Sequence, residues 1–306
     1  MSKDRFTQAH IDQWRQEGFV IIPDFFSTQE IAPIVTDYER IYGKKGTGDF
    51  AGSELNLKEE DGQGEFRNNQ FKNIDILPYE GSIEMNLISL HPALIEFAKQ
   101  VLCSDNVHLY QSHTWAKYTG EADYDQAHHC DFRNHTLTVP ADSPSQRTAD
   151  IVIYFTDVTD AHGALNYVTK PDADDVLREG AIWGPEPKQQ ALLRSKERSA
   201  AGTAGTLVAH SIDTFHRGTN LTLPGGYRYT MTVGYKAAGN DMIGYSTWQD
   251  SAEKPWDKIF NNATPQQLQC LGIPKPGDPF WCQRTLKLTQ ARWPNWDMQQ
   301  YFDAVN

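Results

Sequence analysis

The sequence has little that would take it to a membrane, to nucleic acid or into an oxidising compartment. No apolar run in the 306 residues approaches the roughly 20 that a spanning helix needs, and the start MSKDRFTQ lacks the apolar stretch of a signal peptide. Basic residues are few: 28 Lys and Arg stand against 40 Asp and Glu, a formal charge of −12, with no Lys/Arg-rich run. Such a chain repels phosphate backbones and anionic lipid surfaces, so neither nucleic acid nor a membrane is expected as a partner. The four cysteines, Cys103, Cys130, Cys270 and Cys282, form no CxxC pair and no regular spacing, which argues against a zinc ribbon and a disulfide framework. The expectation is a soluble protein of a reducing, cytoplasmic compartment, long enough for one large β-rich domain or two ordinary ones.

What is present begins with helices. Thr7 can cap a segment in which Ile11 and Trp14 share a face and Gly18 ends the helix. Phe19-Val20-Ile21-Ile22 reads as a short buried strand. Ser27-Thr28-Gln29-Glu30 is a capping box ahead of Ile31, Ile34, Val35, Tyr38 and Ile41, with Gly43 as the stop. Residues 44–73 are polar and Gly-rich and predict a solvated cover loop, and Pro92 opens a third helix. After Asp105 the period changes to short β segments: 107–115, 151–155, 164–168, 205–210 and 227–236. Residues 171–202 read as a charged excursion. Beyond Lys236 lies a tail with Trp248, Trp256, Trp281, Trp293 and Trp296, and a helix capped at Thr264-Pro265-Gln266-Gln267 and ended by Gly272. So many large rings predict a tail packed on the core. The fold expected is mainly β with flanking helices, a double-sheet jelly roll of cupin-like type, as one domain over 1–306. Residues 1–105 form its helical part and cover loop, 106–236 the core, and 237–306 the extension.

The chemistry concentrates in Gln126-Ala127-His128-His129-Cys130-Asp131. On an extended strand residues i and i+2 face one side, so His129 and Asp131 can converge while Cys130 points away. The best third ligand is His216, which follows a strand and precedes Gly218. Two imidazoles and a carboxylate on one face of an octahedral metal leave three sites open, the donor set of non-haem Fe(II) oxygen chemistry. In Tyr227-Arg228-Tyr229-Thr230-Met231-Thr232-Val233, alternation puts Arg228, Thr230 and Thr232 on one face. If that face looks into the barrel, Arg228 can pair bidentately with a carboxylate and Thr230 can add a hydrogen bond.

The set His129-x-Asp131, His216 and Arg228 resembles the phytanoyl-CoA dioxygenase family of Fe(II)/2-oxoglutarate oxygenases. The likeness extends to Gly18-Phe19-Val20-Ile21-Ile22-Pro23, to Gly163-Ala164-Leu165-Asn166-Tyr167 and to His216-Arg217-Gly218-Thr219-Asn220. The resemblance implies a double-stranded β-helix, with His129, Asp131 and His216 as Fe(II) ligands and Arg228, aided by Thr230, on the distal carboxylate of 2-oxoglutarate. It implies a dioxygenase that consumes 2-oxoglutarate and O2, releases succinate and carbon dioxide, and hydroxylates a small-molecule substrate. Leu109-Tyr110-Gln111-Ser112 resembles the strand entering the site in ectoine hydroxylase, a member of this family, which makes Gln111 a candidate contact for cosubstrate or substrate. The segment Phe132-Arg133-Asn134-His135 departs from the Glu-Thr-Trp found there. Related halogenases replace the ligand carboxylate with a small residue, so Asp131 favours hydroxylation.

Other readings compete. His210, six residues before His216, is a rival third ligand, although Gly218-Thr219-Asn220 and the spacing to Arg228 favour His216. His128 is out of step with Asp131 and faces elsewhere. His113 and His135 are substrate contacts or structural histidines, and Cys130 is a packed residue. Specificity is expected from the covers, namely residues 44–73, 171–202 and the Trp-rich tail. A coenzyme A thioester finds no basic cluster to receive its phosphates. The alternative function is a cupin-like metal-binding isomerase or ligand-binding protein without redox chemistry.

Overall fold

The computed structural model describes residues 5–42, 71–74, 77–118, 125–137, 141–178, 185–245 and 254–305. Its first helix forms where the end signals fall. Thr7 caps α1 (Gln8–Glu17), with its N–H donating to His10 Nδ1 at 3.1 Å, and Gly18 closes it at φ +85°. A side chain at position 18 would meet Lys170 and Thr214 atoms at 2.6 and 2.7 Å, so both space and conformation demand glycine. After β1 (Phe19–Ile22), α2 (Thr28–Tyr42) opens on the expected capping box: Ser27 N–H donates to Glu30 Oε2 at 2.9 Å and Glu30 N–H to Ser27 Oγ at 3.3 Å. Gly43 and residues 44–70 lie outside the described residues. Residues 71–73 belong to a strand, β2 (Phe71–Ile74), and not to the cover loop; pairing with a long neighbour supplies the order that local composition does not signal.

Helices α3 (Ile83–Leu87) and α4 (Pro92–Leu102) follow, the second with Pro92 in its first turn as expected. The remaining core comprises β3 (Val107–Tyr118), α5 (Phe132–His135), β4 (Thr148–Tyr154), β5 (Asn166–Tyr167), α6 (Lys170–Leu177), α7 (Pro187–Arg194), β6 (Arg198–Ser199), β7 (Leu207–Ser211), β8 (His216–Arg217) and β9 (Tyr227–Ala237). The tail forms α8 (Asp257–Phe260), α9 (Pro265–Gln269), α10 (Gln283–Arg292) and α11 (Gln299–Asp303). The strand expected over 164–168 shortens to two residues, and the one expected from 151 starts at Thr148.

Every strand pair among the described residues is antiparallel. Six strands form one sheet in the order β1-β7-β4-β9-β3-β2 and three form a second in the order β6-β5-β8, the two walls of a jelly roll. Alternation sorts the large sheet's side chains. Ile151, Ile153, Leu207, Ala209, Met231 and Val233 share the main core with the helices, including Leu94, Ala98 and Val101. Their neighbours Val152, Tyr154 and Val208 instead pack with Tyr167 of the small sheet. The polar members of that inner face, Arg228, Thr230 and Thr232, are thereby placed between the walls.

The tail joins the helical layer. Gln267 Nε2 donates to Leu90 O at 2.9 Å, and Leu109 N–H donates to Cys270 O at 2.8 Å. Trp256, Trp281 and Trp296 are buried in the main core and Trp293 packs against it; Trp248 lies outside the described residues. Among the described residues, no helix is long and apolar enough to cross a membrane.

Candidate active site

Two ends of chain meet to make the site. His129 N–H donates to His216 O at 2.9 Å and His216 N–H to His129 O at 3.0 Å, an antiparallel bridge that extends the small sheet beyond β8. The extended geometry expected through the whole His-x-Asp motif stops there. Asp131 has φ −81° and ψ −15° and caps α5, so the chain turns sharply after Cys130. The turn is anchored by Phe132 N–H donating to Ile212 O at 3.2 Å and by Cys130, whose buried thiol donates to Asp213 O at 3.5 Å. Convergence survives: ligand atoms of His129, Asp131 and His216 lie within 4.8 Å of one another.

The same local device sets both imidazoles. His129 Nδ1 lies 3.0 Å from Ala127 O and His216 Nδ1 lies 3.0 Å from Thr214 O, each the carbonyl two residues earlier. A carbonyl only accepts, so Nδ1 carries a proton and Nε2 is the nitrogen turned towards the cluster. Burial holds the pKa of His216 down to about 3, so its ring is neutral, as a metal ligand must be. Burial disfavours the Asp131 carboxylate, but positive charge on the facing imidazoles, His216 foremost, and the His210 contact oppose it and hold its pKa well below the ordinary range; with His216 neutral, the His210 contact at 3.3 Å remains. Two imidazole Nε2 atoms and one carboxylate are a donor set that fits Fe(II) with coordination sites to spare.

Asp131, His210 and His216 share a cavity of about 140 Å³ with Trp115, Tyr154, Arg228, Thr230 and Thr232. Arg228 is buried, and its guanidinium donates to Gly163 O. Thr230 lies two residues on along the same face, and Trp115 Nε1 donates to Thr232 Oγ1 at 3.0 Å. Directly across from Arg228 stands Lys117, whose Nζ donates to Thr219 O at 2.7 Å. Burial, and then the neighbouring Arg228 charge, push the Lys117 pKa down to about 6. Lys117 escaped the sequence reading, although the alternation that carries Gln111, His113 and Trp115 inward also carries it.

Gln111 does not line this cavity. It is buried, its Nε2 donates to Asp150 Oδ1 at 2.8 Å and to Tyr110 Oη at 2.9 Å, and its Oε1 lies 3.0 Å from His113 Nε2. The His135 ring sits edge-on to Tyr110 at 5.4 Å. His128 faces away, with Nε2 3.2 Å from Glu197 and its backbone clamped on both sides by the Gln190 amide. Arg217, next to His216, bonds Glu197 at 2.8 and 2.9 Å and also Asp125. The excursion over 171–202 therefore grips the back of the His129–Asp131 loop through Gln190 and Glu197, residues that a search for ligands passes over. None of the described tail residues lines the cavity; four of the tail's tryptophans border a separate aromatic cavity of about 310 Å³.

The fold resembles that of several solved structures. EctD from S. alaskensis with bound Fe aligns at a TM-score of 0.59 and 15% identity over 84% of this chain and 84% of that one. The carbocyclase SnoK from nogalamycin biosynthesis, described as non-heme and alpha-ketoglutarate dependent, aligns at 0.57 and 19% over 81% and 89%. The epimerase SnoN, in complex with Fe3+, alpha ketoglutarate and nogalamycin RO, aligns at 0.53 and 17% over 76% and 83%. At such identities the likeness is one of fold. A search of curated proteins gives no match. The sequence profile of the phytanoyl-CoA dioxygenase family matches residues 14–223, which include His129, Asp131 and His216. More than half of the chain is thus accounted for, and it belongs to the phytanoyl-CoA dioxygenase family, the non-haem Fe(II)- and 2-oxoglutarate-dependent oxygenases.

Proposed function

We propose that the protein hydroxylates a C–H bond of a small molecule, with His129, Asp131 and His216 holding Fe(II) and Arg228 with Thr230 receiving the far carboxylate of 2-oxoglutarate. The observation that carries this reading is a cavity between the sheets lined by Arg228 together with Asp131 and His216, two of the three members of a cluster that His129 completes. Bound iron with 2-oxoglutarate and O2 supplies the oxidising power for the C–H bond. The chain's own residues do the rest. His129 and His216 are each anchored through Nδ1 on a backbone carbonyl, which leaves Nε2 as the atom to offer a metal. Arg228 offers a planar fork that matches a carboxylate, and its burial removes competing water. The inner wall of Val152, Tyr154 and Leu165 keeps the space between them dry.

Presence of Asp131 supports hydroxylation over halogenation. Family membership disfavours the redox-silent alternative. The discriminating experiment is succinate formation, followed by proton NMR, from 2-oxoglutarate in air with Fe(II). Slow substrate-free release of succinate that stops when Zn(II) replaces iron is expected. No succinate under iron, with or without a range of small-molecule substrates, would return the reading to a redox-silent metal protein.

A further inference from the structure

Three imidazoles surround Asp131, and they are not equivalent. His129 and His216 each have Nδ1 on a backbone carbonyl. His210, buried on β7, has Nε2 3.3 Å from Asp131 Oδ2 and Nδ1 3.1 Å from the hydroxyl of Tyr167. Ladder pairing fixes His210 in place, since it stands opposite Phe19 on one side and Asp150 on the other. Tyr167 is fixed as well: it is buried, its ring stacks on Phe19 at 4.8 Å, and it pairs with His216 across β5 and β8.

The partners set the direction of the hydrogen bonds. An ionised carboxylate only accepts, so a favourable contact needs the proton on His210 Nε2. Nδ1 is then an acceptor, and Tyr167, whose hydroxyl burial keeps protonated, is placed to donate to it. The result is a relay from Tyr167 O–H to His210 Nδ1 and from His210 Nε2–H to Asp131 Oδ2. A histidine that carries its proton on the nitrogen facing the site is no ligand, although it lies as close as one.

We propose that His210 is a positioning residue that holds the Asp131 carboxylate through Oδ2, the oxygen that also lies 3.7 Å from His216 Nε2, and so fixes the orientation in which that carboxylate meets the metal. This inference rests on the proposed ligand set. Its consequence concerns metal affinity: a hydrogen bond to a ligating carboxylate fixes its rotation, and removing such a partner typically costs about 10- to 100-fold in metal binding. The relay explains why a third imidazole was built into a site that needs two.

The test uses metal affinity by chelator competition and the visible spectrum of the anaerobic Fe(II)·2-oxoglutarate complex. His210→Phe keeps the ring volume and removes both hydrogen bonds; it should weaken metal binding by about 10- to 100-fold and shift or bleach the band. His210→Gln keeps an N–H donor and should bind metal more tightly than His210→Phe, a rescue that loss of packing would not give. Tyr167→Phe, which removes one hydroxyl, should fall between wild type and His210→Phe. Wild-type affinity and an unchanged band in folded His210→Phe overturn the proposal. If that variant does not fold, unchanged affinity and spectrum in Tyr167→Phe overturn it. Absence of the band in wild type would instead count against the proposed ligand set.

Discussion

His129 and His216 stand 87 residues apart in the chain and exchange both backbone hydrogen bonds, at 2.9 and 3.0 Å. The distance between the two ring nitrogens is thus set by main chain, the least mutable part of the site. Replacing either ring with alanine should leave the bridge and the fold in place while abolishing metal binding. Thermal melting checks this: Fe(II) at about 100 times its Kd should stabilise the wild type by about 2.7 kcal/mol, and neither His129→Ala nor His216→Ala should gain anything. A metal-induced rise in melting temperature preserved in His216→Ala would assign the third ligand to His210.

Arg228 should separate cosubstrate from metal. Arg228→Met is expected to bind Fe(II) as the wild type does but to lose 2-oxoglutarate affinity by roughly 10- to 100-fold, the range for a charged hydrogen-bonded pair. Calorimetric titration with 2-oxoglutarate in the presence of a redox-inert metal measures it. Equal affinities in the two proteins would remove Arg228 from the cosubstrate site.

Lys117 gives the site a pH dependence. Its pKa falls from 10.5 to about 6 on folding, so between those values the unfolded chain carries a proton that the folded one lacks. Unfolding then binds a proton, and stability rises with pH across that window. Lys117→Met should flatten this slope in urea titrations. A dianion brought to the neighbouring Arg228 favours the ammonium form, so cosubstrate binding near pH 8 should take up a proton in wild type and none in Lys117→Met. Calorimetry in two buffers of different ionisation enthalpy counts that proton.

Gly234 stands on the inner face with no room beside it for a side chain. A Cβ there would lie 2.5 Å from Gln111 Cγ, 2.5 Å from Tyr110 Cε1 and 2.8 Å from Asp150 Oδ1. Gly234→Ala should therefore destabilise the fold by about 1–3 kcal/mol, the usual cost of overpacking. A urea midpoint equal to that of wild type would show that the Gln111–Asp150 network yields without loss.

Much of this was legible in one sequence because period-2 alternation is a local signal. The inward aim of Arg228 and Thr230 follows from their own strand, and the caps at Thr7, Ser27 and Thr264 follow from their own side chains. The convergence of His129 and Asp131 was legible, but by a geometry the protein does not use: Asp131 is turned inward by a helix start that its neighbours do not announce. Gln111 shares the inward face, yet Asp150, 39 residues later in the chain, takes its amide. The roles of Lys117, His210 and Glu197 depend on partners over 60 residues distant, Arg228, Asp131 and His128. No local pattern reports such a partner; only the folded register does.

The central claim is that His129, Asp131 and His216 hold an iron that shares 2-oxoglutarate with Arg228. Anaerobic addition of Fe(II) and 2-oxoglutarate to the wild type should produce a visible metal-to-ligand charge-transfer band, absent in Asp131→Ala and weakened in Arg228→Met. A folded wild-type protein that shows no band, or a band that Asp131→Ala leaves intact, would contradict it.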